Sequence, residues 1–288
     1  MSTTTYTAPG AAKAQRTPSK WPVYVFLCVM ALFYLIPIYV AIMTSLKDQA
    51  QVSSSGIWSP PTSPSLDNFG KAWSALANGF KNSVLLVVPG VAISALLGSL
   101  NGYVLSKWKF RNSNLIFTLM LFGMFIPYQA VLLPLTQFLS TIPAFKANIP
   151  GLILVHVIYG IPITTLIFRN YYAGVPNELV ESGTVDGAGF FGIYKDIVFP
   201  LSVPAFVVVM IWQFTAIWNE FLFAVALNSN PTSQPVTVAL AGLGSSQAGT
   251  DYGMQMAGSL LTALPTLLVY IFLGRYFIRG LLAGSVKG

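Results

Sequence analysis

The chain has 288 residues, of which 55% are apolar and only 8% charged, where a water-soluble domain carries about a quarter charged. With a mean hydropathy of +0.69, this composition excludes a soluble fold of this size, because too few polar groups remain to cover its surface. The formal charge of +7 does not point to nucleic acid, since the 15 Lys and Arg lie scattered between apolar runs with no basic stripe to track phosphates.

Residues 1–21 form a polar N-terminal tail, and the apolar run 22–46 that follows is about twice the length of a signal-peptide core, so it is expected to stay as an anchor. A hydrocarbon core of about 30 Å needs about 20 helical residues. Six segments meet that length: Pro22–Leu46, Ser83–Leu105, Leu115–Leu139, Ile149–Phe168, Leu201–Leu227 and Met256–Phe277. Cys28, the single cysteine, lies in the first, so neither a disulfide framework nor a metal site is indicated. Residues 47–81 hold Ser53–Gly56 and Pro60–Pro64 and read as a turn-rich loop. The second segment carries Ser94, Gly98 and Gly102 at four-residue spacing, a stripe that lets two helices approach closely. Prolines 37, 89, 127, 134, 162, 204 and 265 lie within the spans, and kinked helices are expected. Tryptophans 21, 58, 73 and 108 sit at or beyond span ends, where interfacial anchoring explains them.

An even number of spans puts both termini on one side. Of the 15 Lys and Arg, all but Lys47, Lys71, Lys81 and Lys146 fall on the side of the termini, and by the positive-inside rule that side is cytoplasmic. The expected class is an all-α polytopic bundle of six transmembrane helices: a permease-like core over 82–277 and a short tail over 278–288.

The loop 174–200 after the fourth span falls on the cytoplasmic side. Pro176 suits a first helical turn, and Glu178 and Glu181 place negative charge near that helix's positive end, so a short helix is expected from Pro176 to about Thr184. Leu179, Val180 and Gly183 form its apolar patch. Asp186 and Gly187 then provide a turn and a cap for a second helix, with Phe190, Ile193, Tyr194 and Ile197 on its apolar side, ending before Pro200. The two helices make an elbow at the membrane surface.

Glu181-Ser182-Gly183, then Asp186-Gly187-Ala188, then Ile197 with Phe199-Pro200, resemble the EAA loop of binding-protein-dependent ABC permeases, the element that sits in a cleft of the ATP-binding subunit. Ser182 and Gly183 stand where the family pattern has two alanines, and Phe199 where it usually has Leu. Further stretches, among them IWQFTAIWNEFLF (Ile211–Phe223), SQPVTVAL (Ser233–Leu240) and RGLLAGSVKG (Arg279–Gly288), are similar to carbohydrate permeases of the maltose type, and most resemble permeases of bacterial glucose and mannose importers. The resemblance implies a type I importer architecture in a bacterial inner membrane and a sugar as cargo. It implies four kinds of partner: a second permease subunit, two ATP-binding subunits, an extracytoplasmic sugar-binding protein and membrane lipid. ATP and Mg would be bound by the ATPase partners and no cofactor by this chain, whose only Gly-Lys pair, Gly70-Lys71, has Ser65 where a phosphate-binding loop needs its first glycine.

Glu220 is the only acidic residue within an expected span, so it should face protein or water. Gln213, seven residues earlier, is expected on nearly the same helical face, with Trp212 and Asn219 on the adjacent stripe; together they offer hydrogen bonds and a ring for a sugar. Two readings stay open: these residues line the substrate path, or Asn219 and Glu220 fasten helices. His156 is expected to be buried, neutral and hydrogen bonded, with no acidic residue in its own span. A carrier driven by ions or protons would instead place the work in Glu220 and His156, and a scaffold without transport would need no polar face in the fifth span.

Overall fold

The computed structural model describes the backbone of residues 20–108, 110–243 and 251–285, with side chains as far as Tyr276. The predicted tail 1–21 lies almost wholly outside the described residues, as do Lys287 and the side chains after Tyr276. Among the described residues the chain is helical throughout, with no strand. It divides into two units, residues up to Val40 and residues from Ala41 onward. The first holds most of α1 (Trp21–Ser45), an uninterrupted apolar helix long enough to cross a bilayer even though it contains Pro37.

The second unit is the bundle. After α1 comes a short helix, α2 (Gln49–Ser54), capped by Asp48, whose carboxylate accepts from the Gln51 N–H at 2.7 Å. Next is α3 (Asp67–Lys107), which starts well before the expected Ser83, so the second half of the predicted loop 47–81 is helix. The reason is a buried face, Asn68, Ala72, Leu76 and Gly79, continuous at helical spacing with the membrane stripe below it. Three asparagines on this extension do structural work: Asn68 donates to the carbonyls of Ser45 and Lys47, and Asn78 and Asn82 both donate to the Thr232 carbonyl.

The third expected span is broken into α4 (Ser113–Phe122) and α5 (Tyr128–Ser140), bent by 95°. Pro127 causes the break: it lacks an N–H, and it forces Ile126 into an extended conformation at φ −72°, ψ 118°. Among the described residues four helices are long and apolar enough to span a membrane by themselves, and up to six spans result if each bent pair counts as one.

The fourth span is α6 (Ile149–Ala173), and its partner is α3. The small-residue stripe is the seam between them. A β-carbon on Gly98 would lie 2.1 Å from Thr164 Oγ1, and one on Gly102 would lie 2.7 Å from Phe168 Cβ. Thr164 fills the seam and satisfies its hydroxyl on the carbonyls of Gly160 and Ser94 at 2.9 and 3.1 Å. Close backbone contact of this kind, with a hydroxyl turned onto a neighbouring carbonyl, replaces the hydrophobic driving force that lipid cannot supply.

The elbow follows, made of α7 (Asn177–Val185), α8 (Phe190–Ile193), a π turn over Tyr194–Val198, and α9 (Phe199–Leu201). The fifth span is then α10 (Val203–Trp218), set at 77° to the preceding helical run, and a separate α11 (Leu222–Leu227). The single helix expected over Leu201–Leu227 is therefore interrupted at both ends. The chain closes with α12 (Val236–Leu243) and α13 (Tyr252–Ser285), the latter overrunning the expected sixth span, Met256–Phe277, in both directions.

Two apolar clusters hold the bundle. One, around Leu86, Leu152, Trp218 and Phe223, lies toward the end where α12 meets α3 and α11 meets α5 and α6; the other, around Tyr103, Phe168, Tyr172, Ile193 and Val198, seats the elbow.

Candidate functional site

The elbow is built on helix termini. Pro176 precedes α7 with an extended ψ of 137°, and Glu178 in the first turn complements the helix's positive end. At the other end the helix closes in a Schellman motif, the Ala188 N–H bonded to the Gly183 carbonyl at 2.9 Å and the Gly187 N–H to that of Thr184 at 3.1 Å. This requires a left-handed residue, and Gly187 supplies it at φ +81°. Asp186 and Gly187 thus terminate the first helix rather than capping the second, which begins after Gly189.

The second arm also departs from expectation. It does not end before Pro200 but runs through it to Leu201, because the π turn widens the helix just ahead of the proline. The Phe199 N–H reaches back to the Tyr194 carbonyl, five residues away, which gives room for a ring that would otherwise strike the carbonyl four residues earlier. The bend at Ser202 falls between Pro200 and Pro204.

The expected apolar side of the second arm is the docked one. Ile193 and Val198 are buried, and Phe190, Tyr194 and Ile197 pack against the same cluster. Ser99 of α3 binds the hydroxyls of both Tyr172 and Tyr194, at 2.6 and 2.9 Å, and Tyr103 donates to the Phe190 carbonyl at 3.3 Å. Tyr171 donates to the Leu201 carbonyl at 2.8 Å. Gly183 is where the two arms touch: a β-carbon there would stand 2.8 Å from Ile197 Cδ1 and 3.4 Å from Ile193 Cγ1. Lys107, at the end of α3, holds the start of the first arm through the Val175 carbonyl and through Asn177 Oδ1 at 2.9 Å.

What remains outward is a compact acidic and apolar surface. Glu178, Glu181, Ser182, Asp186 and Gly187 are exposed, Ala188 is half-buried, and Leu179 faces out rather than joining Val180 and Gly183 against the second arm. Val185 and Phe191 project furthest, at 87% and 72% exposure. Neither stood out in the sequence. The adjacent pair Phe190-Phe191 was a usable signal, because neighbours on a helix point about 100° apart and both rings cannot be buried against one wall.

The second candidate site is the interruption after α10. The helix ends at Trp218, so Gln213 and Glu220 do not share a helical face. Gln213 is 3% exposed and its side chain lies in the seam with Gly160 and Ser94, where a β-carbon on Gly160 would be 2.0 Å from Gln213 Nε2. Trp212, 46% exposed, and Asn219 do lie on one outer face of α10, with Asn219 Nδ2 donating to the Thr215 carbonyl at 2.9 Å. Glu220 caps α11: its two carboxylate oxygens accept from the N–H groups of Phe223 and Ala224 at 2.6 and 3.2 Å. The carboxyl group of an otherwise apolar stretch is thereby satisfied by the first-turn N–H groups of a helix. Thr237 binds the Glu220 carbonyl at 2.8 Å and ties α12 to the break.

His156 comes to this carboxylate from α6. It is 7% exposed, with Nε2 3.6 Å from Glu220 Oε2, and Nε2 makes no hydrogen bond among the described residues. His156 is buried as expected, and its Nε2 lies without a hydrogen bond among the described residues. The acidic neighbour that its own span lacks is delivered by the break in another. The Phe223 ring packs against His156, Tyr159 and Tyr128, with centroids 5.9, 5.1 and 5.6 Å away.

Residues 90–281 match the family model described as the binding-protein-dependent transport system inner membrane component. Over 270 residues the chain is 38% identical to a xylose/arabinose import permease protein of Haloferax volcanii, covering 86% of this chain and 87% of that one. Over 274 residues it is 31% identical to a glucose import system permease protein of Saccharolobus solfataricus, covering 92% and 95%. In fold it matches a chain of a bacterial ABC transporter involved in alginate import, with a TM-score of 0.80 at 19% identity, covering 92% of this chain and all of that one.

Proposed function

Because the chain belongs to the binding-protein-dependent transport inner membrane component family, we propose that it is one permease subunit of an ATP-driven sugar importer whose elbow takes the thrust of the ATPase. It works beside a second permease, with two ATP-binding subunits below and an extracytoplasmic sugar-binding protein above. Both termini are cytoplasmic, in a bacterial-type plasma membrane. The cargo is a monosaccharide such as glucose or mannose, or a small oligosaccharide; relatives named for xylose/arabinose and glucose import support that class.

The observation that carries this reading is the division of the elbow into an outward acidic and apolar face and an inward face locked to α3 and α6. A surface offered to a partner needs exposed anchors, and Val185, Phe191 and Leu179 supply them, with Glu178, Glu181 and Asp186 giving electrostatic complementarity to a basic cleft. A lever needs a rigid attachment. Ser99, Tyr103, Tyr172, Tyr194 and the contact of Gly183 with Ile197 provide it. Movement of the elbow then passes to α3 and α6, while the bend at Ser202 and the break at Glu220 are the places where the fifth span can flex. On this reading Trp212 of α10 and Asn219 at its end, both exposed, line the path.

A proton-driven carrier built on His156 and Glu220 is the competing reading, and the nearness of the two side chains is the observation in its favour. Against it, both Glu220 oxygens are committed to the first turn of α11. Uptake of labelled sugar by proteoliposomes holding the assembled complex separates the two. On the importer reading uptake follows internal ATP and is indifferent to a proton uncoupler, whereas collapse with the uncoupler at constant ATP would favour the carrier.

A further inference from the structure

Where the ends of α3 and α6 meet the start of α7 there is a cavity of about 250 Å³, lined by Leu105, Ser106, Lys107, Arg169, Asn170 and Asn177 with the Ala173 methyl. That volume is below the range of pockets for drug-sized ligands and suits one small anionic group. Its walls are polar, and two of its lining side chains are cations.

Among the described residues neither cation forms an ion pair. Lys107 spends two of its three donors on neutral acceptors, the Val175 carbonyl and Asn177 Oδ1, and no carboxylate lies within ion-pair distance of it among the described residues. Arg169 is likewise held by neutral groups, its Nε toward the Leu105 carbonyl at 3.4 Å and an Nη toward Asn114 Oδ1 at 3.2 Å, with the guanidinium 4.1 Å above the Phe117 ring. Each keeps N–H groups to spare. The helix α7 begins at the same cavity with Asn177, and Pro176 before it offers no side-chain cap, so the positive end of a nine-residue helix is added to the two cations. The Glu178 carboxylate attracts Lys107 from beyond ion-pair distance, and it is exposed on α7, outside the cavity lining.

We infer that this cavity binds a phosphate group, held by Lys107 and Arg169 with the amide groups of Asn170 and Asn177 completing the shell. Two sources share that chemistry: the headgroup of an anionic phospholipid at the membrane surface, and free phosphate from solution. Through Lys107, which grips Val175 and Asn177, an occupant would bear on the first arm of the elbow. The inference rests on the proposed function only in setting the elbow at a membrane surface.

The test uses the complete transporter, assembled with its partner subunits, in nanodiscs of equal phosphatidylglycerol and phosphatidylcholine with the same acyl chains. Lipids retained on the intact complex are counted by native mass spectrometry. Wild type should retain phosphatidylglycerol several-fold over phosphatidylcholine. The pair Lys107→Gln with Arg169→Gln should lose that excess, whereas Arg169→Lys and the control pair Arg111→Gln with Lys195→Gln should keep it. In discs of phosphatidylcholine alone, ³¹P line broadening of added inorganic phosphate by wild type but not by the site pair would name soluble phosphate as the source. Equal phosphatidylglycerol retention by wild type and the site pair, with no phosphate broadening that depends on the site, overturns the inference. Only intact complexes are counted, so failed assembly cannot imitate loss of the site. Retention does not depend on uptake, so the result stands apart from that of the uncoupler experiment.

Discussion

Gly183 and Ile197 meet across the elbow so closely that a β-carbon on the glycine would stand 2.8 Å from Cδ1 of the isoleucine. The obstructing atom is the far end of a flexible side chain, so a methyl is accommodated by a small movement and a branched side chain is not. Gly183→Ala is expected to keep most transport. Gly183→Val should overpack the joint by about 1–3 kcal/mol and depress transport-linked ATP hydrolysis about tenfold or more. Ile197→Ala in the same chain should restore much of it by vacating the space. Transport-coupled ATPase assays of the reconstituted complex check all three.

Gly187 holds the left-handed position that ends the first arm. Gly187→Ala is expected to cost about 1–2 kcal/mol of local stability, a β-branched residue more, and Asn less, since Asn tolerates that conformation. Nothing lies within 4 Å of the β-carbon such changes would add, so the backbone and not crowding sets the order. Hydrogen exchange over residues 183–189 reads it directly.

These two glycines show what the sequence disclosed and what it hid. The short helix of the first arm and the inward side of Phe190, Ile193, Tyr194 and Ile197 follow from spacing alone, whereas the outward turn of Leu179, Val185 and Phe191 does not. The function of Asp186-Gly187 as a terminator, and the π turn that carries the helix past Pro200, depend on which carbonyl each N–H selects, and no side-chain pattern records that choice. The Ser94, Gly98 and Gly102 stripe was readable as a packing surface, but Thr164 as its counterpart was not, because a threonine in an apolar run has no period of its own. The break at Glu220 was missed for a plainer reason. The apolar run continues through it with neither Gly nor Pro, and only the carboxylate's capture of the Phe223 and Ala224 N–H groups ends one helix and starts the next.

That capture has a measurable cost. Glu220→Ala leaves two helix N–H groups unpaired away from water and should destabilise the complex by about 1–3 kcal/mol for each group left unsatisfied. Glu220→Gln keeps one acceptor oxygen and should lose less. Thermal unfolding of the detergent-purified complex ranks the pair. Substantial uptake by Glu220→Gln would also set the residue's cap apart from any proton-carrying duty.

At the seam of α3 and α6, Gly98→Ala would press a methyl against the Thr164 hydroxyl group, which is itself bonded to the Gly160 and Ser94 carbonyls. The helices must separate, and the variant is expected to fail to assemble at ordinary growth temperature. Thr164→Gly should rescue it partially by removing both the oxygen and the β-carbon, which would stand 2.5 Å from the new methyl, as judged by copurification with the partner subunits.

The thrust-bearing elbow is tested most directly by cross-linking. Cys28 is the single native cysteine, so a Cys28→Ser background is free of thiols. In it, Val185→Cys at the tip of the elbow is compared with Thr232→Cys, which sits in the 3₁₀ turn at the opposite end of the bundle. With a maleimide–benzophenone, which couples to the introduced thiol and on illumination inserts into a C–H bond of whatever chain lies within reach, Val185→Cys in native membranes should join the ATP-binding subunit in a yield that changes between nucleotide-free and ATP-bound states, while Thr232→Cys should not join it in either. A Val185→Cys chain that forms no such product, or a Thr232→Cys chain that does, would contradict the elbow's role.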